Sequence, residues 1–136
     1  MVRLIMGEKG TGKTKQLIEL INDAATHSSG CVVCIEAKSA LTYDVSHQVR
    51  LISAGEYDVS SYESLRGFIS GLYASNYDIS HIFIDNLFKI VGGICNQEAD
   101  NFLNWLNRFS GNRNLKITVS VSGNPQLATD GMQQYL

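Results

Sequence analysis

The feature that most constrains this chain is a glycine-rich octapeptide near its start, GEKGTGKT, at residues 7–14. It matches the pattern GxxxxGK[ST] at every fixed position, and it lies between an apolar run, VRLIM, and a segment with helical apolar spacing. Glycines here allow backbone angles that point N–H groups at phosphate oxygens, and the following helix adds its positive end. We therefore assign nucleotide phosphate binding to Gly7, Glu8, Lys9, Gly10, Thr11, Gly12, Lys13, Thr14 and Lys15.

Two side chains of this loop have predicted chemical roles, and a third residue completes the site. Lys13 is expected to reach the β- and γ-phosphates, and the Thr14 hydroxyl is expected to ligate Mg²⁺. A site of this kind also needs an acid at the end of a buried strand, where it positions the water shell of the metal. The run IFID supplies that acid as Asp85. The expected metal-site residues are Thr14 and Asp85, and Lys13 and Asp85 are expected to act in catalysis.

Short apolar runs alternate with amphipathic segments along the whole chain, which is typical of βαβ units with a parallel sheet. Apolar runs predict strands at 2–6, 31–36, 49–54, 81–85 and 115–123. Helical spacing follows the glycine loop and recurs in 60–76 and 96–109, and Ser60 and Glu63 have capping-box spacing at the start of the second helix. We expect an α/β fold of three αβα layers around about five mostly parallel strands, in one domain spanning 1–136. The tail, GMQQYL, is too short to assign.

Composition excludes several classes of protein. Of the 136 residues, 44% are hydrophobic and 18% charged, as in globular proteins rather than disordered ones. The net charge of −2 gives no clear nucleic-acid footprint. No apolar run is long enough for a membrane span and the N-terminus lacks a signal-peptide layout, so we expect a cytoplasmic protein. Cys31 and Cys34 form a CxxC, but inside a strand they would point to opposite faces and chelate poorly.

With these motifs in place, the chain resembles P-loop NTPases, and nearly its whole length resembles the ATPase core of RecA-like proteins. The segments GEKGTGKTKQLIELIN, LTYDVSHQVRLISAGEYDV and YDISHIFIDNLFKIV are also similar to small bacterial P-loop proteins labelled twitching-motility PilT-like. The resemblance implies the RecA-like fold, Mg²⁺ and a nucleotide. The guanine-reading tetrapeptide [NT]KxD is absent, so the resemblance implies ATP rather than GTP.

The resemblance also identifies positions where this chain departs from the family. The RecA-like glutamate that polarises water falls on Lys38, while Glu36 lies two residues earlier and shares its face if the strand continues. Glu36 is the leading candidate base, and a solvated carboxylate at a strand end is the alternative. Asn86 follows Asp85 where many relatives have a second acid. Ser122 and Asn124 follow the last strand, where the superfamily often senses the γ-phosphate. The candidate arginine fingers, which the sequence cannot rank, are Arg50, Arg66, Arg108 and Arg113.

Three functions remain open at this stage. The first is a small ATPase or ATP-dependent switch, in which the γ-phosphate orders segments that a protein partner or a second copy reads. The second is a kinase, because GEKGTGKT followed by VVCIEAKS is similar to the thymidine kinase layout, although that family's zinc-bearing lasso is missing. The third is an ATP-binding adaptor that does not hydrolyse. The sequence does not identify the process, the partner or the oligomeric state.

Overall fold

The computed structural model describes residues 1–39, 41 and 44–136. Its strands are β1 (Val2–Gly7), β2 (Cys31–Glu36), β3 (Arg50–Ser53), β4 (Ile79–Ile84) and β5 (Lys116–Ser122). Its helices are α1 (Lys13–His27), α2 (Tyr62–Ser75), α3 (Leu87–Val91), α4 (Gln97–Gly111) and α5 (Asp130–Gln133). Among the described residues, no helix combines the length and the apolar content needed to cross a bilayer.

The five strands form one sheet in the order β1-β5-β4-β2-β3, and every neighbouring pair is parallel. The last strand of the sequence, β5, therefore lies between the strand that precedes the glycine loop and the strand that precedes Asp85. In a parallel sheet all carboxyl ends meet at one edge. This order places the loop, the end of β5 and Asp85 side by side at that edge.

The sheet is covered on both faces, and each face has its own apolar cluster. One cluster joins α1 to the sheet through Leu17, Ile21, Ile5, Cys34 and Phe83. The other joins the opposite face to α2, α3, α4 and α5. Its large, fully buried members are Ile35, Leu65, Ile69, Ile82, Ile84, Leu87, Phe102, Leu103 and Leu106. Strands β1 to β4 contribute residues to both clusters, whereas β5 contributes to one cluster and has Thr118 and Ser120 on its other face. Helices on both faces give the three layers predicted from the sequence.

The expected strands are all present, with ends that differ from the prediction by at most two residues. The pattern did not indicate α3, whose five residues are too few to show a helical period. That helix begins directly after Asn86, which has a left-handed backbone with φ 54°. Asparagine tolerates this conformation better than most residues. The unassigned tail contains α5, and Tyr135 beyond it accepts a hydrogen bond from the backbone N–H of Leu4 on the edge strand, through its carbonyl, at 2.7 Å.

The cap of α2 differs from the predicted one. The capping box is formed by Ser61 and Ser64, not by Ser60 and Glu63. The Ser61 hydroxyl accepts from the Ser64 backbone N–H at 3.0 Å, and the Ser64 hydroxyl accepts from the Ser61 backbone N–H at 3.0 Å. Serine at the third helical position replaces the usual glutamate, which is why the spacing rule selected the wrong pair.

The two cysteines of the CxxC point to opposite faces, as predicted. Cys34 is fully buried in the α1 cluster, whereas Cys31 packs against the other cluster. Both thiols are free. Within the ranges that the structure describes, no group of three or more His, Cys, Asp or Glu side chains is arranged to hold a metal ion.

Candidate functional site

The glycine loop connects β1 to α1 as the sequence predicts. Gly10 has φ 86° and Gly12 has φ 82°, a region that L side chains rarely adopt. The Thr11 hydroxyl and the Thr11 backbone N–H both donate to the Glu8 carbonyl, at 2.7 and 3.3 Å. These bonds close the turn, and the glycine conformations direct the chain into the helix.

The N-terminus of α1 offers binding capacity for an anion. Gly12 is the N-cap, no side chain caps the helix, and its first turn contains no acidic residue. The first N–H groups of any helix lack partners inside the helix, and the helix dipole makes that end positive. Thr14 and Lys15 lie in this first turn with exposed side chains, and Glu8 and Lys9 are exposed in the loop before it. An uncapped, 15-residue helix behind a glycine turn fits a phosphate group.

Lys13 lies between the loop and the neighbouring strand. Its ammonium donates to the hydroxyl of Ser122 at the end of β5 and, at 3.4 Å, to the carbonyl of Gly7. Burial lowers the pKa of Lys13, and the nearby Asp85 carboxylate partly offsets that effect. The Lys13 ammonium and the Asp85 carboxylate are therefore close enough to interact at the carboxyl edge of the sheet.

Asp85 lies directly after β4, and a residue of β5 fixes its side chain. The Ser120 hydroxyl donates to Asp85 Oδ1 at 3.1 Å and accepts from the backbone N–H of Asn86 at 2.8 Å. The Asp85 backbone N–H donates to the Ile35 carbonyl at 2.8 Å, which extends the pairing with β2 by one residue. Ser120 is fully buried. These contacts hold the acid on the α1 side of the sheet.

Glu36, the candidate base, is the last residue of β2 and is only 2% exposed. The backbone N–H of Leu41 donates to its Oε1 at 3.4 Å. Burial raises the pKa of Cys34 well above its ordinary value, and the carboxylates of Asp85 and Glu36 raise it further. Glu36 ends β2 and Asp85 follows the paired strand β4, so both acids lie at the carboxyl edge of the sheet. The alternative of a solvated strand-end carboxylate is wrong, because this side chain is buried.

Lys38 and the arginines occupy other places. Because β2 ends at Glu36, Lys38 lies beyond the strand and is exposed, so the alternation that would put both on one face does not continue. The guanidinium of Arg66 lies 6.0 Å from the centre of the Trp105 ring, and that of Arg113 lies 4.3 Å from the centre of the Phe109 ring. Arg50 and Arg108 are exposed.

A cleft of about 410 Å³ opens beside the loop. Its walls come from the loop, from α1 and from the segment after β5, and they include Gly7, Thr11, Lys13, Gln16, Asn124 and Gln126. The Asn124 side chain accepts from the Gln126 backbone N–H at 3.0 Å and so shapes the turn that forms one wall. This volume lies within the range typical of small-molecule sites.

A larger cleft of about 600 Å³ lies at the other end of the sheet, between α1 and the amino ends of β4 and β5. Arg3, His81 and Lys116 are among its lining residues. Open parallel sheets bind ligands beyond the carboxyl ends of their strands. The smaller cleft also contains the glycine loop, so we place the candidate site there despite its smaller volume.

The donor set fits a nucleotide and its metal. The uncapped α1 terminus and Lys13 offer N–H donors and positive charge for phosphates. The hydroxyl of Thr14 and the carboxylate of Asp85 offer the hard oxygen atoms that Mg²⁺ prefers. Gly10 and Gly12 have positive φ and carry no Cβ atom that could occupy the space beside the helix terminus.

Sequence reasoning missed one member of the site. The sequence pattern does not indicate Ser120, and it predicts Ser122 as a γ-phosphate sensor rather than as the partner of Lys13. The available signal was the run TVSVS, in which alternate small hydroxyl residues occupy one face of an otherwise apolar strand. A hydroxyl in a buried strand needs a hydrogen-bond partner. Here Ser120 contacts Asp85 and Ser122 contacts Lys13, and both of these partners are predicted site residues.

Comparison with known proteins gives a structural likeness only. No protein-family model and no curated protein sequence matches the chain. Among solved structures, the flagellar accessory protein FlaH from Methanocaldococcus jannaschii superposes with a TM-score of 0.62 at 10% sequence identity. The superposition covers 98% of this chain but 65% of FlaH, so this chain spans about two thirds of that protein's length. At this identity the likeness concerns the fold alone, and it confirms the predicted α/β architecture of three αβα layers around a parallel five-stranded sheet.

Proposed function

We propose that this protein binds Mg-ATP on the loop 7–15 and hydrolyses it slowly, as a small RecA-like ATPase or ATP-dependent switch. The observation that carries the proposal is the juxtaposition at one sheet edge of an uncapped helix N-terminus, Lys13 and Asp85. Each is a group that phosphoryl transfer requires for positioning and charge stabilisation. The similarity of three sequence segments to small bacterial PilT-like P-loop proteins agrees with this assignment.

The proposed binding mode follows from the contacts of the loop. Lys13 is held by two oxygen acceptors, and phosphate oxygens would compete with them for the same ammonium protons. The N–H groups of the α1 terminus would receive a phosphate, and Thr14 and Asp85 would hold Mg²⁺, directly or through its water shell. Bound Mg²⁺ would neutralise charge on the phosphates. The adenosine would extend toward the cleft that Gln16 and Gln126 border.

The burial of Glu36 favours slow hydrolysis of ATP. A general base must come within hydrogen-bond reach of the water that it activates. Glu36 is buried, and its Oε1 accepts from the backbone of the segment after β2. At 2% exposure the carboxylate has almost no contact with bulk water, so a water molecule would reach it only after a local rearrangement. No described arginine side chain lines the cleft beside the loop, so we propose that a partner or a second copy supplies one.

The test is phosphate release measured across a wide range of protein concentrations, with the mass of the particle followed in parallel. A missing arginine in trans typically costs about 10³ to 10⁵ in rate. We expect turnover well below about 1 s⁻¹ for dilute protein, against a typical enzyme median of about 10 s⁻¹, and a rise when subunits or a partner assemble. Turnover of several per second from a confirmed monomer, abolished by Glu36→Gln, would show that the site is complete within one chain and contradict the proposal.

The same buried Glu36 favours a second candidate, an ATP-binding adaptor that does not hydrolyse. In that case the nucleotide would act only by ordering the surface around the loop. Phosphate release would then be absent at every protein concentration while ATP still binds. That outcome would put the adaptor in first place.

A further inference from the structure

We propose that Ser120 is a positioning residue, which orients the Asp85 carboxylate and thereby sets how strongly Mg²⁺ strengthens ATP binding. This inference rests on the proposed function. It assigns a role to a side chain in the interior of β5, two residues before the strand end where Ser122 holds Lys13.

The direction of each hydrogen bond at Ser120 follows from the groups involved. The backbone N–H of Asn86 can only donate, so the serine oxygen accepts there, at 2.8 Å. An ionised carboxylate can only accept, so the one hydroxyl proton goes to Asp85 Oδ1, at 3.1 Å. The serine hydroxyl therefore donates one hydrogen bond and accepts another, and the two bonds define its orientation. It leaves Oδ2 of Asp85 as the oxygen that is available to a metal or its water.

The position of Ser120 in the sheet makes this contact rigid. The residue is fully buried, and Val119 and Val121 on either side of it anchor the strand in the opposite apolar cluster. The same hydroxyl also accepts from the backbone N–H of Asn86, whose φ is 54°. One serine therefore contacts both Asp85 and the turn that follows it. A carboxylate bonded to a buried strand has less rotational freedom than one that faces solvent.

The arrangement on β5 links the two halves of the site. Ser120 and Ser122 are two residues apart and therefore share a face, and one contacts Asp85 while the other contacts Lys13. Residues that hydrogen-bond to a metal-associated carboxylate typically change metal affinity by about 10- to 100-fold when they are removed. Loss of the Ser120 hydroxyl should therefore weaken the metal-dependent part of ATP binding and spare the rest.

The test compares ATP affinity in excess Mg²⁺ with ATP affinity in EDTA, by calorimetry, for the wild type and Ser120→Ala. The ratio of the two dissociation constants is the magnesium enhancement. We expect Ser120→Ala to lower this enhancement by about tenfold and to change the affinity in EDTA by less than about twofold. An unchanged enhancement, or an equal loss of affinity in Mg²⁺ and in EDTA, would overturn the inference.

A matched control separates positioning from a general loss of stability. Thr118 lies on the same strand and the same face, is 5% exposed, and bonds His81 Nε2 through its hydroxyl at 2.8 Å. Thr118→Val removes a buried hydroxyl as Ser120→Ala does, but two residues farther from the site. It should leave the magnesium enhancement unchanged. An equal loss in both variants would assign Ser120 to stability alone.

A double-mutant cycle identifies the residue through which Ser120 acts. In an Asp85→Asn background, Ser120→Ala should cause no further loss of magnesium enhancement, because the two changes affect one interaction. Additive losses would contradict the inference. If Ser120→Ala does not fold, Ser120→Cys, which keeps a weak donor of similar size, is judged by the same ratio. A wild type that does not bind ATP would refute the proposed function, whereas normal binding with full enhancement in Ser120→Ala would refute this inference alone.

Discussion

At the scale of single residues, the loop depends on backbone conformations that few side chains can adopt. A Cβ built on Gly12 would meet no atom within 4 Å, so space does not explain why glycine occupies this position. The reason is its φ of 82°. An L residue with a Cβ pays roughly 1–2 kcal/mol to hold a left-handed conformation. The loop therefore requires glycine for its shape, and the shape directs the N–H groups toward the anion.

Gly12→Ala should destabilise the protein by about 1–2 kcal/mol and weaken Mg-ATP binding by tenfold or more. The matched control is Gly67→Ala in the interior of α2, where a Cβ also meets nothing within 4 Å but φ is not positive. That change should stabilise the protein by about 0.5–1 kcal/mol, because alanine is the better helix residue. Urea unfolding and calorimetry measure both quantities. Two alanine variants of equal stability and equal ATP affinity would refute the assigned loop conformation.

At the scale of elements, one partly buried side-chain pair joins two central strands at the end of the sheet away from the loop. His81 on β4 bonds the Thr118 hydroxyl on β5 and stacks on Phe83, with ring centres 4.0 Å apart. Burial, with a smaller effect from the Lys116 ammonium, lowers the pKa of His81 from 6.5 to about 4. Folding therefore favours the neutral form of the His81 imidazole over the protonated form.

This shift predicts a loss of stability in mild acid. As pH falls below 6.5, the unfolded chain binds a proton at His81 while the folded chain does not until about pH 4. The free energy of unfolding should therefore decrease between these values, by up to roughly 3 kcal/mol. His81→Gln should remove this part of the pH dependence, whereas His27→Gln, which changes an exposed side chain, should keep it. Denaturant titrations from pH 7 to pH 4 give the comparison, and identical slopes for the wild type and His81→Gln would contradict it.

At the scale of the whole molecule, the sequence predicts the individual strands and motifs well, but it does not predict which of them come into contact. The glycine loop, the five strands and the acid that ends the run IFID are each encoded in short runs of residues, and all are present. The contacts of Ser120 with Asp85 and of Ser122 with Lys13 span 35 and 109 residues. They depend on β5 lying between β1 and β4, an order that no local pattern specifies. The burial of Glu36 is also not specified by a local pattern, because a charged residue at a strand end is more often exposed.

Calorimetric titration of Mg-ATP into the wild type, Lys13→Ala and Lys116→Ala tests the central claim most directly. Lys13 donates to oxygen acceptors inside the site, whereas Lys116 is an exposed lysine at the amino end of β5. Removing a charge that faces the phosphates should weaken binding at least about tenfold and by several kcal/mol at most, and the fold should persist. Lys116→Ala should bind as the wild type does. Equal affinities for the wild type and Lys13→Ala would contradict the account, because the loop would then not be the nucleotide site.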